Sequence, residues 1–309
     1  MIQCMSMKVS RREWISAALA TPLFAAPGNY RLGITTNTRG GWEDDVLLSF
    51  REAKEVGYGY VESFSHYFVK YFERPAALEE EMKKIGVRFV TISNGGPQEM
   101  HFEDPSKHDK IIEDHLKLVH FIRRFGCTHL KINCGPRRAT GTTADDLKYM
   151  ADVLGRLGKK VSAEGLKFAV HAHMWSQFET RAEIDFILGH TDPKHVWFVL
   201  DTGHITMAGI DPVKLARELG HRVIEFHMKD TNPENLGGAK SRLDRPDMMK
   251  DPPFFELGKG GVDFAALKKH LDGIQWKGWL TVELDSSPWK GPKESARISR
   301  EYLRGNWGI

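Results

Sequence analysis

The chain has 309 residues, 41% of them hydrophobic and 28% charged, which excludes a disordered tail, a collagen-like fibre and a small disulfide scaffold. A chain of this length buries roughly 75% of its unfolded surface, enough for one large core. Its 44 basic against 41 acidic side chains leave a formal charge of +3, which is no electrostatic footprint for nucleic acid.

The first feature in chain order is Ser10-Arg11-Arg12-Glu13-Trp14-Ile15, followed by an apolar, Ala-rich run to Ala26 and then Pro27-Gly28-Asn29. A basic start, a short apolar run and small residues at its end have the make-up of an export signal. The run is too short to span a bilayer, which takes about 20 apolar residues. The arginine pair resembles a twin-arginine (Tat) signal over residues 1–26, which implies export of a folded protein to the periplasm or beyond. An ordinary amphipathic helix in a cytoplasmic protein is the alternative. Lys8, Arg11 and Arg12 against Glu13 place most of the basic surplus in this segment, so the remainder is close to neutral.

From residue 30 to 305 short apolar runs alternate with amphipathic stretches. Strands are predicted at Tyr30–Thr35, Tyr58–Ser63, Arg88–Ser93, His129–Asn133, Lys167–His173, Val196–Asp201, Val223–Lys229 and Trp279–Leu284. Helices follow near 43–56, 74–85, 107–125, 144–164, 178–188, 211–219, 263–272 and 292–304. Thr143 before Asp145-Asp146, and Asp263, are start signals. Gly57, Gly86, Gly126, Gly165 and Gly278 stand between helix and next strand, where left-handed caps are expected. Eight βα units predict α/β architecture as a single (β/α)8 TIM barrel. No G-x-G-x-x-G follows the first strand, which argues against a doubly wound sheet. Cys127 and Cys134 flank the fourth strand, too far apart to pair, and are expected as free thiols. Residues 230 to 261 lack a clear period and are rich in Pro, Gly, Asn and Asp, and are expected to form a long lid loop after the seventh strand.

In such a barrel the active site is built at the C-terminal ends of the strands. His190, His195 and His221 precede strands and fall on the opposite, stabilising face. His171, His173, His204 and His227 fall at or just past strand ends. The sixth strand closes on Asp201 and the eighth delivers Glu283 from an equally apolar context. Ionised carboxylates there are costly unless paired or metal-bound. We therefore expect His171, Asp201, His227 and Glu283 to hold a divalent cation, with a structural histidine–carboxylate network as the alternative. Mixed nitrogen and oxygen donors suit Mn, Zn, Fe or Co. His173 is an alternative ligand, with His171 then behind it. His173 and His204 are the acid/base candidates. Glu62 and Lys131 are further catalytic candidates or, equally, a buried ion pair across the barrel. Asn133, Trp175 and Lys229 are candidates for substrate contacts. Phe254 and Phe255 of the lid are expected to do ordinary packing.

The stretches Val170-His171-Ala172-His173-Met174, Asp201-Thr202-Gly203-His204, Phe226-His227-Met228-Lys229-Asp230, Leu257-Gly258-Lys259-Gly260-Gly261-Val262-Asp263-Phe264 and Val282-Glu283 resemble the xylose-isomerase-like TIM-barrel superfamily of sugar phosphate isomerases and epimerases, and within it most of all the inosose dehydratases. The resemblance implies Mn, Co or Zn at the ends of the fifth to eighth strands and a polyhydroxylated carbonyl substrate. Asp201, His227 and Glu283 match the usual ligands. The epimerases carry a Glu where this chain has His171, which weakens a two-carboxylate epimerase mechanism. The expected chemistry is α-proton abstraction beside a polarised carbonyl, with loss of a β-hydroxyl as water. A sugar isomerase or epimerase, and an exported lyase cleaving 3-keto-glycosides, are the alternatives. A phosphodiester-cleaving repair enzyme resembling endonuclease IV needs histidines that Thr91-Ile92-Ser93-Asn94-Gly95 does not supply. A silent sugar-binding protein has no use for both His173 and His204. The expected partner is thus a small sugar or polyol, with no nucleic acid and no membrane span.

Overall fold

The computed structural model describes residues 30–232 and 244–309. The signal expected at 1–26 and the stretch 233–243 of the long loop lie outside them. The strands are β1 Arg31–Thr35, β2 Tyr60–Phe64, β3 Arg88–Ser93, β4 His129–Asn133, β5 Lys167–His171, β6 Trp197–Asp201, β7 Val223–Met228, the short β8 Asp230–Thr231 and β9 Phe254–Phe255, and β10 Trp279–Val282. All but β8 and β9 run parallel in the order β3-β2-β1-β10-β7-β6-β5-β4, a nearly closed barrel. The helices are α1 Val46–Val56, α2 Pro75–Ile85, α3 His108–Arg124, α4 Ala144–Ala163, α5 Arg181–Gly189, α6 Thr202–Met207, α7 Pro212–Leu219, α8 Phe264–Gly273 and α9 Pro292–Trp307. No helix among the described residues is long and apolar enough to cross a membrane.

Local chemistry sets these boundaries. Thr143 and Asp146 form a reciprocal capping box that starts α4, and Thr180 with Glu183 does the same for α5. The expected start of α5 at 178 therefore moves to 181, because Thr180 is its cap. Asp45 accepts from the Leu47 and Leu48 amides to start α1, which ends on Gly57 at φ 104°. Outward-facing Phe168, Phe198, Phe226 and Leu280 are buried against the helical layer. Each contributes roughly 1.5–3 kcal/mol by leaving water. Inward positions carry the polar groups, in agreement with the alternation along each strand.

Three predicted strands end early, two of them for a visible reason. β5 stops at His171 because the His173 amide turns to the Phe178 carbonyl, 2.9 Å away. β7 stops at Met228 because the Lys229 amide is claimed by the Thr202 hydroxyl at 3.0 Å. β10 stops at Val282, although the Glu283 amide still reaches the Met228 carbonyl at 3.0 Å. Helix α6 was not expected; Asp201 ends β6 and caps α6 by accepting from the His204 amide at 2.8 Å. Cys127 and Cys134 are buried and unpaired, as expected.

Strands β3 and β4 meet through side chains. The Thr91 hydroxyl donates to the His129 carbonyl at 2.7 Å. Asn94 accepts from the Asn133 amide at 2.8 Å and donates to the Asn133 carbonyl at 3.0 Å.

Candidate metal centre and its cavity

Strand register brings the chemistry to one level. Asn133 lies beside His171, and Asp201 beside His227. With Glu283 just past β10, the four expected ligands converge, their donor atoms within 4.8 Å of one another, and all four side chains are buried. His171 Nε2 stands 3.6 Å from Asp201 Oδ2. His227 Nδ1 stands 3.7 Å from that oxygen and 2.6 Å from Glu283 Oε2.

The donor set fits a divalent cation. His171 Nδ1 donates to Asn133 Oδ1 at 2.8 Å, leaving Nε2 as a lone pair with no hydrogen-bond partner. Asp201 Oδ2 likewise has none, although Lys229 Nζ lies 3.2 Å away. His227 Nε2 faces Glu62 at 3.3 Å, which leaves Nδ1 turned toward Asp201 and Glu283. The charges also balance. Asp201, Glu283 and Asp285 face Lys229, so one divalent ion would complete neutrality.

Electrostatics follow from burial and close charges. Burial, then Lys131, push the His171 imidazole down to about 3. Burial alone would raise Asp201 and Glu283, but Lys229 together with the neighbouring histidines outweighs it and holds both well below the usual carboxylate range. His227 is opposed by burial yet raised well above the usual range by Glu283 and Glu62. His173 and His204 are lowered, first by burial.

The remaining predicted residues divide. Glu62 and Lys131 form a fully buried ion pair of 2.7 Å. Burial opposes the Glu62 charge, but Lys131 and His227 win, leaving it at about 2. Lys131, Asn133 and His173 line a cavity of about 110 Å³ over the centre, with Arg39, Glu283 and Asp285. His173 Nδ1 donates to the Met174 carbonyl at 2.6 Å, so the tautomer leaves Nε2 as its base. His204 does not line the cavity. Its Nε2 faces Lys229 Nζ at 2.9 Å, and its ring centre lies 3.7 Å from that of His173 with the planes tilted by 36°. Lys229 is fully buried against three carboxylates. Trp175 adopts φ 64° and sits under Arg245, 6.0 Å from ring to guanidinium.

In the described part of the long loop, Arg245 and Met248 line the cavity, and the Met248 carbonyl accepts from Ser286. Phe254 packs 4.7 Å from the His204 ring, and beyond the ordinary packing expected of it its ring faces the Lys229 ammonium, 4.7 Å from the ring centre. Asp230 anchors the returning segment by accepting from the amides of Gly258 and Gly260, each at 2.9 Å, and Val262 at 3.1 Å.

Sequence reasoning missed a polar layer beneath the centre. His129 Nε2 meets Glu225 Oε2 at 2.8 Å, and Thr281 donates to the same carboxylate. The signal was present, since Glu225 is in phase with His227, and His129 with Lys131. Asp285 was also missed, two residues beyond Glu283.

The chain is a (β/α)8 barrel with two imidazoles and two carboxylates at the ends of adjacent strands, a group that could hold a metal ion. The chain belongs to the xylose isomerase-like TIM barrel family, whose profile matches residues 50–305. An inosose dehydratase of Clostridium botulinum (strain Alaska E43 / Type E3) is 30% identical over 162 residues, 52% of this chain and 54% of that protein. The match thus spans about half the length of this curated relative. Among solved structures, a D-allulose 3-epimerase from Methylomonas sp. superposes with a TM-score of 0.71 at 17% identity, covering 92% of this chain and 99% of that one. A 3-keto-D-glucoside 4-epimerase from E. coli gives 0.67 at 16% identity, covering 89% and 99%. At these identities the likeness concerns the fold.

Proposed function

We propose that the protein is a divalent-metal-dependent lyase that removes water from a keto-polyol or keto-sugar. The observation that carries this reading is the convergence of His171 Nε2, Asp201, His227 Nδ1 and Glu283 beneath a cavity that His173 enters with a free lone pair. A bound Mn, Co or Zn ion would supply polarisation of the substrate carbonyl, lowering the cost of charge on its oxygen. His173 Nε2 takes the proton from the adjacent carbon, the electron pair of that bond forms the double bond as the β C–O bond breaks, and the protonated His173 returns its proton to the departing hydroxyl, which leaves as water. Lys131 adds positive charge in the cavity wall, and Asn133 fixes the ligand tautomer of His171. The half-length match to an inosose dehydratase supports dehydration over epimerisation. So does His171, since the epimerase pattern asks for a second carboxylate at that place. Export through the Arg11-Arg12 signal belongs to the same proposal, and its mark is a mature periplasmic protein lacking residues 1–26.

The test is incubation of the Mn- or Co-loaded enzyme with inososes and 3-keto-glycosides, read by mass spectrometry. Loss of one water supports the proposal. Unchanged mass with a new stereocentre identifies an isomerase or epimerase, and release of an aglycone identifies a keto-glycoside lyase. No turnover and no bound metal together refute it.

A further inference from the structure

The Lys229 ammonium is held as a metal ion is held. It is fully buried, and four acceptor atoms surround it: Asp285 Oδ1 at 2.7 Å, His204 Nε2 at 2.9 Å, Glu283 Oε2 at 3.0 Å and Asp201 Oδ2 at 3.2 Å. Contraction of these distances by roughly 0.5–1.2 Å would give ordinary metal–ligand lengths. Around the same point His173, His204 and Asp285 form a second group whose donor atoms lie within 4.8 Å of one another. Two carboxylate oxygens face both positions. Glu283 Oε2 meets His227 Nδ1 at 2.6 Å on one side and Lys229 on the other, and Asp201 Oδ2 meets His171 at 3.6 Å on one side and Lys229 on the other. Shared carboxylates between adjacent cations are the arrangement of two-metal sites, where the ions stand roughly 3.5–4 Å apart.

The Asp-Thr-Gly-His sequence serves this lysine at every position. Asp201 pairs with its charge. The Thr202 hydroxyl accepts from the Lys229 amide at 3.0 Å and donates to its carbonyl at 2.7 Å. Gly203 leaves room for its stem, since a Cβ there would stand 2.7 Å from Lys229 Cγ and 2.9 Å from Cδ. His204 faces the ammonium.

We propose that Lys229 is a built-in cation that fills the second metal position of this centre and so limits it to one divalent ion. The inference rests on the first position being a metal site, as proposed above. Shortening the side chain removes one positive charge and opens a pocket already walled by His173, His204, Asp285 and the two shared carboxylates.

The experiment saturates each protein with Mn2+, removes free ion, and measures metal per chain by inductively coupled plasma mass spectrometry, with electron paramagnetic resonance to detect coupled pairs. Wild type is expected to hold one ion, Lys229→Ala two with a coupled-pair spectrum, and Lys229→Met, which keeps the volume filled, one. One ion in both wild type and Lys229→Ala overturns the inference and leaves the proposed function standing. Two in wild type also overturns it. None in wild type removes the metal reading and the inference with it. Should circular dichroism show Lys229→Ala unfolded, Gly203→Ala takes its place, because its methyl group displaces the lysine stem. Wild type titrated with a large excess of Mn2+ supplies a further measure, and a second tightly held ion there sinks the proposal.

Discussion

Acid should unfold this barrel partly through one histidine far from the cavity mouth. His115 on α3 is fully buried; its Nδ1 donates to the Ile111 carbonyl at 2.7 Å, and its Nε2 takes the Asn94 amide at 3.1 Å. Burial pushes its pKa down to about 4, the Ile111 carbonyl offsetting only part. The unfolded chain holds the same group near 6.5, so between these values the unfolded state binds more protons. Stability is therefore complete above about pH 6.5 and falls as pH drops, by up to about 1.4 kcal/mol per unit and by about 3 kcal/mol at pH 4. Other groups titrate in the same range, so the comparison is between wild type and His115→Gln, both metal-free, by urea unfolding from pH 7 to pH 4. The glutamine variant is expected to be the less stable at pH 7, with the gap closing by about 3 kcal/mol toward pH 4. Parallel stability curves would refute the reasoning, since they would mean that His115 is protonated without penalty in the folded state.

Other outcomes can be checked alongside it. Lys131→Met strands the buried Glu62 carboxylate beside His227 and should cost about 3–5 kcal/mol in urea unfolding, most of it recovered by adding Glu62→Gln; a double variant no more stable than the single one would disprove the coupling. Asn133→Ala removes the acceptor that orients His171 but spares the backbone bonds to Asn94, and should weaken metal binding roughly 10–100-fold in a chelator competition. An unchanged affinity there counts against His171 as a ligand through Nε2. His173→Gln should slow turnover by roughly 10²–10⁴-fold with metal content intact; loss of the metal instead would move His173 into the ligand set.

The barrel and its four donors were legible because two periodicities coincide. Apolar residues on alternate strand positions mark the helix-facing side, and the interruptions at His171, Asp201, His227 and Glu283 then fall on the inner face. The polar layer of His129, Glu225 and Thr281 obeys the same phase but sits one step deeper, where an apolar barrel filling is the usual expectation. Arg39, Arg245 and Asp285 reach the cavity from loops, and no period governs a loop. Lys229 was placed near the centre, but its four partners come from two other segments that only the closed barrel brings to it. Helix α6 escaped because Asp201 serves as strand end, donor and helix cap at once, and each role masks the others.

The clasp between β3 and β4 has a consequence for how such a centre changes over evolutionary time. His115 holds Asn94, Asn94 holds the backbone of Asn133, and the Asn133 side chain holds His171. Where backbone ladders close a ring, a single substitution rarely alters the closure. Here the closure is written in side chains, so one exchanged codon at 94 or 115 reaches the hydrogen bond that orients His171 from outside the cavity. A change in the outer helical layer can thus reach His171 while every side chain that lines the cavity stays the same.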